Sequence, residues 1–188
     1  MFKSLMALGH YFNIKDVFTK EECDKIVESF SEKTLQRATV ENSSKAPRKN
    51  KVSWIEMNSE NDWIYQRLQG VASHFNKDQY KFNLEWARLD LIQFTKYEKG
   101  EYYTWHMDLG DKPENSSRKI SMVVQLSDSS RYDGGELQLG LIDEEAYTAY
   151  KDKGSVSVFS SIMRHRVTPV TRGTRYSLVA WVCGVPFA

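Results

Sequence analysis

The chain has 188 residues, 13% aromatic and 27% charged, and its 26 Lys and Arg against 25 Asp and Glu give a formal net charge of +1. That length suits a single domain with a sizeable core, and the charge balance argues against a general polyanion binder while leaving room for a local basic patch. No apolar stretch approaches the ~20 residues of a spanning helix, the N-terminal apolar run is too short for a signal peptide, and Cys23 and Cys183 make no disulfide framework and read as unbridged thiols of a reducing, cytoplasmic compartment.

Asn13 to Val17 reads as a short strand. Thr19, with Glu22 three residues on, forms a capping box. The stripe of Ile26, Val27 and Phe30 then predicts a helix from about Lys20 to Lys33. Leu35 to Lys51 is polar and basic, with Lys45, Arg48, Lys49 and Lys51 around Pro47. It predicts a mobile loop between strands, either a solvated loop or a flap over a substrate. Asn61 or Ser59 is placed to cap a second helix whose face carries Ile64, Leu68, Val71 and Phe75. His74 and His10 read as surface or packing residues.

From Leu84 onward the period changes to two. Trp86 to Thr95 alternates, as do Ile120, Met122, Val124 and Leu126 against Ser121, Val123 and Gln125. Leu137 and Leu139 follow the Gly134-Gly135 turn. Strands are expected at Ser155 to Phe159 and at Arg175 to Val182. Helices first and many short strands after predict a mainly β fold with flanking α-helices: a jelly roll, or double-stranded β-helix, with the N-terminal helices packed on one sheet. One domain over residues 1–188 is expected, residues 1–83 supporting a core at 84–188.

The stretch Tyr97 to Asp108, Y-E-K-G-E-Y-Y-T-W-H-M-D, carries the chemistry. His106 and Asp108 are two residues apart, so on an extended strand they share a face and can meet one metal ion. His165, in M-R-H-R-V, is the best third ligand. Two His and one carboxylate with open positions are the donor set of non-heme Fe(II) oxygenases. Zinc also accepts that set, but the helical H-E-x-x-H of zinc hydrolases is absent. The pair alone is weak evidence, and its plain alternative is a hydrogen-bonded His–Asp pair at a strand end. Arg175 shares a strand face with Ser177, Val179 and Trp181, opposite the more apolar Tyr176, Leu178, Ala180 and Val182. It is therefore expected to point inward. A buried Arg needs an anion: the end of a dicarboxylate cosubstrate, or an internal Asp or Glu.

The order Y-x-x-G-x-x-Y-x-x-H-x-D, R-K-I-S-x-x-x-Q-L-S-D, Y-D-G-G-E-L and H-R-V-T-P-V-T-R-G-T-R-Y-S-L-V-A-W-V resembles the Fe(II)- and 2-oxoglutarate-dependent dioxygenases of the prolyl 4-hydroxylase type, above all the bacterial PKHD-type hydroxylases. The likeness runs from about Leu89 to the C-terminus. It implies His106, Asp108 and His165 as iron ligands, with no further catalytic residue. Arg175 would hold the distal carboxylate of 2-oxoglutarate, with Tyr97 bonding the cosubstrate and Gln125 assisting. Tyr103 and Trp181, and more weakly Arg118 and Arg166, would face the substrate. The implied reaction consumes O2 and 2-oxoglutarate, releases succinate and CO2 and hydroxylates an unactivated C–H bond, with ascorbate keeping the iron reduced. A prolyl residue of a peptide or protein leads as substrate. Alternatives are a small molecule such as a free amino acid or siderophore-like compound, nucleic-acid dealkylation, or a non-catalytic jelly-roll metal-binding module.

Overall fold

Two helices lie in the N-terminal half of the described chain. The computed structural model describes residues 10–31, 35–38, 47–84, 88–110, 115–140 and 146–186. Helix α1, Lys20–Ser31, begins at the expected capping box: the Thr19 N–H donates to Glu22 Oε2 at 2.9 Å and the Glu22 N–H to Thr19 Oγ1 at 3.2 Å. It buries Cys23, Ile26 and Phe30. The predicted extension to Lys33 lies outside the described residues.

Helix α2, Asp62–Phe75, runs on into a π-helical turn at Asn76–Tyr80. Neither Ser59 nor Asn61 caps it. The Asn61 side chain instead accepts the Asn58 N–H, and the Asn58 side chain accepts the N–H groups of Glu60 and Asn61, closing a turn just before the helix. Its buried stripe is Ile64, Tyr65, Leu68 and Ala72, with Val71 and Phe75 half-buried beside it. Tyr65 displaces the expected face because its hydroxyl finds buried backbone partners, donating to Ile55 O and accepting the Ile92 N–H.

The larger sheet is antiparallel. Its strands are β1 (Tyr11–Ile14), β2 (Gln36–Arg37), β4 (Lys51–Ile55), β5 (Arg88–Leu89), β6 (Ile92–Tyr97), β8 (Arg118–Gln125), β12 (Val156–Ser160) and β15 (Arg175–Cys183). They run in the order β1-β12-β8-β15-β6-β4-β2, with β5 on the end of β15. The smaller sheet orders β11 (Tyr147–Thr148), β10 (Leu137–Leu139), β13 (His165–Val167), β7 (Tyr102–His106) and β3 (Arg48–Lys49). A ribbon of β9 (Tyr132–Gly134) and β14 (Val170–Gly173) stands apart.

Several boundaries move from the sequence reading. The first strand starts at Tyr11, not Asn13, because it pairs with β12 from Tyr11↔Phe159 onward. The stretch expected as a loop holds β2 and β3, which pair with β4 and β7; Lys45 lies outside the described residues. The run expected from Trp86 to Thr95 breaks at Asp90–Leu91, and Trp86 also lies outside them. The strands β1, β2 and β4 join the same sheet as the later ones, so the border near residue 84 cuts through shared pairing.

The larger sheet is covered on both faces. On one, Phe94, Met122, Val158 and Leu178 pack with Ile26, Phe30, Ile64 and Leu68 of the helices. On the other, Tyr97, Val123 and Phe159 meet Leu137, Leu139 and Val167 of the smaller sheet. Each such side chain contributes roughly 1.5–3 kcal/mol by leaving water. Strand β8 is buried from Lys119 through Gln125 for this reason. Its alternation therefore separates two interiors rather than inside from outside, and its polar members, Ser121 and Gln125, lie between the sheets. No helix among the described residues is long and apolar enough to cross a membrane.

Candidate metal centre and carboxylate pocket

His106 ends β7, and Asp108 lies just past it rather than on the strand as the sequence suggested. Backbone bonds fix this corner: the N–H groups of Asp108 and Leu109 donate to Ser161 O at 3.0 and 2.9 Å. His165 opens β13 and stands directly across the ladder from His106. The three side chains converge. His106 Nε2 is 3.7 Å from Asp108 Oδ1, His165 Nε2 is 3.5 Å from Asp108 Oδ2, and the candidate ligand atoms all lie within 4.8 Å of one another.

The surroundings prepare these atoms for a cation. His106 Nδ1 faces Thr104 O at 2.8 Å and His165 Nδ1 faces Met163 O at 3.0 Å. A carbonyl only accepts, so each Nδ1 carries the proton and each Nε2 lone pair points into the group. Burial, then the neighbouring His165, holds the His106 imidazole well below its ordinary pKa, which keeps it neutral. Burial opposes charge on Asp108, but His165, His106 and the Ser121 hydroxyl outweigh it and hold the carboxyl below its ordinary value. Ser121 Oγ donates to Asp108 Oδ2 at 2.6 Å and pairs with Ser161 Oγ at 2.9 Å. The Trp181 indole N–H also favours the carboxylate, yet it is buried without a hydrogen bond of ordinary geometry, so its contribution is the weaker one. Two imidazole nitrogens and one carboxylate, gathered on one side of a shared space, fit a divalent metal.

Arg175 lies 2% exposed between the sheets. Its Nε donates to Gln125 Oε1 at 3.2 Å and one terminal nitrogen to Ser177 Oγ at 3.3 Å. Gln125 in turn donates to the Tyr132 hydroxyl at 2.8 Å. Among the described residues no carboxylate pairs with Arg175, so the internal salt bridge left open by the sequence does not form. A guanidinium in that position still needs an anion. It borders a small cavity of about 10 Å³ with Gln125, Tyr132 and Lys151.

Tyr97 stands between the two ends. Arg175 Cζ lies 5.6 Å from its ring centre, and both Arg175 and Asp108 act on its ionisation. Burial, the dominant effect, raises its pKa and keeps the phenol protonated. Tyr97 is buried, and its protonated hydroxyl can donate to a ligand beside Arg175.

The remaining sequence candidates divide. Tyr103 stacks on the His106 ring at 3.5 Å, with Arg48 Cζ 4.8 Å from the Tyr103 ring; burial raises the Tyr103 pKa to about 12. Arg118 Cζ sits 3.9 Å over Trp181, and Trp54, 45% exposed, lies 6.2 Å from Trp181. These rings line the open side. Arg166 is not brought there: it alternates with His165 on β13, bonds Gln138 at 2.8 Å and lies 4.7 Å over Trp105. Trp105 points the same way, away from the cleft. Sequence reasoning missed Ser121, Ser161, Tyr132 and Lys151 as neighbours of the site. For Ser121 a signal existed, since it shares the inward face of β8 with Gln125.

Residues 92–183 match the family described as the 2OG-Fe(II) oxygenase superfamily. A PKHD-type hydroxylase of Gloeothece citriformis is 40% identical over 97 residues, covering 50% of this chain and 43% of that protein. One from Idiomarina loihiensis is 36% identical over 93 residues, covering 48% and 41%. The matched stretch thus spans less than half the length of these relatives. Among solved structures, a Pseudomonas putida prolyl-4-hydroxylase superposes with a TM-score of 0.74 at 21% identity, covering 96% of this chain and 95% of that one. A Trichoplax adhaerens prolyl hydroxylase, solved with a hypoxia inducible factor peptide fragment, gives 0.74 at 16% identity, covering 96% and 86%. These structural likenesses bear out the jelly-roll fold. The matched segment, residues 92–183, carries the two histidines, Asp108 and Arg175, and is similar to the 2OG-Fe(II) oxygenase superfamily.

Proposed function

We propose that the chain is a hydroxylase that holds Fe(II) with His106, Asp108 and His165, binds 2-oxoglutarate with Arg175, and oxidises a C–H bond of a prolyl residue in a peptide or protein. O2 is the second cosubstrate, succinate and CO2 are the by-products, and ascorbate is the reductant that maintains the metal. One observation carries the reading: a buried Arg175 without an acid partner among the described residues shares the inter-sheet space with two imidazoles and a carboxylate. A dicarboxylate that chelates a metal at one end and reaches a guanidinium at the other satisfies both.

When bound, Fe(II) supplies the redox chemistry that couples decarboxylation of the 2-oxo acid to C–H oxidation. The protein's part is positional. His106 and His165 offer fixed Nε2 lone pairs, and Ser121 holds the Asp108 carboxylate in place. Arg175 and Gln125 orient the distal carboxylate, and the Tyr97 hydroxyl donates along the cosubstrate. The apolar side chains of Val123, Leu139 and Phe159 keep water from that space. Tyr103, Trp181, Trp54 and Arg118 form an aromatic wall with one cation, a surface on which a prolyl ring and its peptide can stack. A nucleic-acid substrate is less well served. Arg48 is tied to Asn50 and Gln93, and Lys51 to Glu98, so the basic segment spends charges on the protein itself.

The test is turnover with Fe(II), 2-oxoglutarate and ascorbate against a panel of proline-containing peptides, followed by mass spectrometry and succinate assay. One added oxygen on proline, matched by succinate, is expected. Succinate without any oxidised peptide removes the prolyl reading, and no succinate under any condition removes the oxygenase reading.

A further inference from the structure

We infer that Lys151 is a second cation for the distal carboxylate of the 2-oxo acid, placed at the outer side of the Arg175 cavity; this rests on the cosubstrate reading above. The cavity of about 10 Å³, room for one water-sized group, is lined by both Arg175 and Lys151, and no Asp or Glu among the described residues borders it. Arg175 forms the buried wall. Lys151, half-buried, lines the same cavity beside the exposed Tyr150.

Lys151 is steered inward. Its Nζ lies 4.6 Å over the ring of Tyr132 and donates to Gly134 O at 3.3 Å. The same Tyr132 receives a hydrogen bond from Gln125, whose carbonyl oxygen receives one from Arg175. The two cations are thus joined through one phenol and one amide around a common space. The Gly134-Gly135 turn completes the arrangement. Both residues have positive φ, and a Cβ on Gly135 would come within 3.1 Å of Arg175 Cδ, so the turn can pack on the Arg175 stem only without a side chain.

Lys151 has donors to spare. An ammonium offers three, and one is used, in a long hydrogen bond to Gly134 O. Asp133, an acid near enough to feel Lys151, already pairs with Arg172 at 2.6 Å. Two cations facing a cavity with no acid among its described lining residues over-provide for a neutral ligand and suit a carboxylate that takes one bond from each.

The test measures binding rather than turnover. Mn(II) replaces Fe(II), and calorimetry follows 2-oxoglutarate and 2-oxobutyrate, which lacks the distal carboxylate. Lys151→Met is expected to weaken 2-oxoglutarate roughly five- to tenfold, a modest loss because the ammonium is partly solvated, and to leave 2-oxobutyrate unchanged. Lys151→Arg is expected to restore most of the affinity. Wild-type affinity for 2-oxoglutarate in Lys151→Met overturns the inference, as does an equal loss for both ligands. Arg175→Met serves as the control. If it too binds 2-oxoglutarate normally, the underlying cosubstrate reading fails; if it loses binding while Lys151→Met does not, only the role of Lys151 fails.

Discussion

Arg175 gives its Nε proton to the amide oxygen of Gln125, a neutral partner, and no carboxylate balances its charge among the described residues. The buried guanidinium is therefore a cost in the ligand-free protein and an asset once a carboxylate arrives. Arg175→Met should keep or slightly raise the melting temperature without ligand, because an apolar side chain of similar length replaces an unbalanced buried charge. The rise in melting temperature caused by 2-oxoglutarate with Mn(II) should vanish. Thermal denaturation with and without the 2-oxo acid checks both; an undiminished ligand shift would refute the assignment.

Asp108→Ala is expected to abolish turnover, since it removes the anionic ligand of the group. Ser121→Ala makes the subtler case. It deletes the 2.6 Å hydrogen bond that orients the Asp108 carboxylate while leaving all three ligands. Mn(II) affinity should fall about 10- to 100-fold, the usual effect of losing such a support. Titration followed by electron paramagnetic resonance reads it, and Ser121→Thr, which keeps the hydroxyl, should recover most of the loss.

Gly154 adopts φ +87°, and a Cβ there would stand 2.0 Å from Phe18 O. Its own carbonyl accepts the N–H groups of Val17 and Phe18, and its N–H donates to Gln125 O at 2.8 Å. The collision is with backbone on both counts, so no rotamer relieves it. Gly154→Ala should cost about 3 kcal/mol or more, or prevent folding. Urea unfolding measures it, and a variant within 1 kcal/mol (roughly, by the ordinary spread of surface changes) would contradict the packing described.

Glu98 predicts a pH effect. Hydrogen bonds from Lys51 and Lys96 hold its carboxyl at about 2. A folded pKa below the unfolded one means the stabilisation is present above the unfolded value and fades as pH falls toward the folded one. The side chain is 40% exposed, so solvent screening limits the gain to under about 1 kcal/mol. Glu98→Gln should be slightly less stable than wild type at pH 7, and the gap should close between roughly pH 5 and pH 2. Melting curves across that range test it; a gap that widens in acid would reverse the sign.

The site was legible where chemistry and strand period coincide. His106, His165, Gln125 and Arg175 are polar residues on strands among apolar neighbours, and Asp108 joins the two histidines from just past β7. What the sequence hid was set by long-range packing. Arg166 looks as basic and as close to His165 as any substrate contact, yet one step along β13 turns it to the other face. Lys151 sits between short elements with no period around it, so only the meeting of β9 with the chain before β12 reveals its neighbours. Tyr65 enters the core because Ile55 and Ile92, on two different strands, offer it hydrogen bonds. Asn58 replaces Asn61 as the turn residue ahead of α2 through bonds that side-chain type alone does not distinguish.

His106 and His165 face each other across a single rung of the β7–β13 ladder. That rung makes the metal group a gauge of strand alignment. A slip of one residue in either strand would turn one imidazole to the outer face and leave its partner without a companion. A cation held there would act as a rivet through two strands whose pairing otherwise rests on a few short bonds. Any change in the loops between them must therefore return the second strand to the same rung.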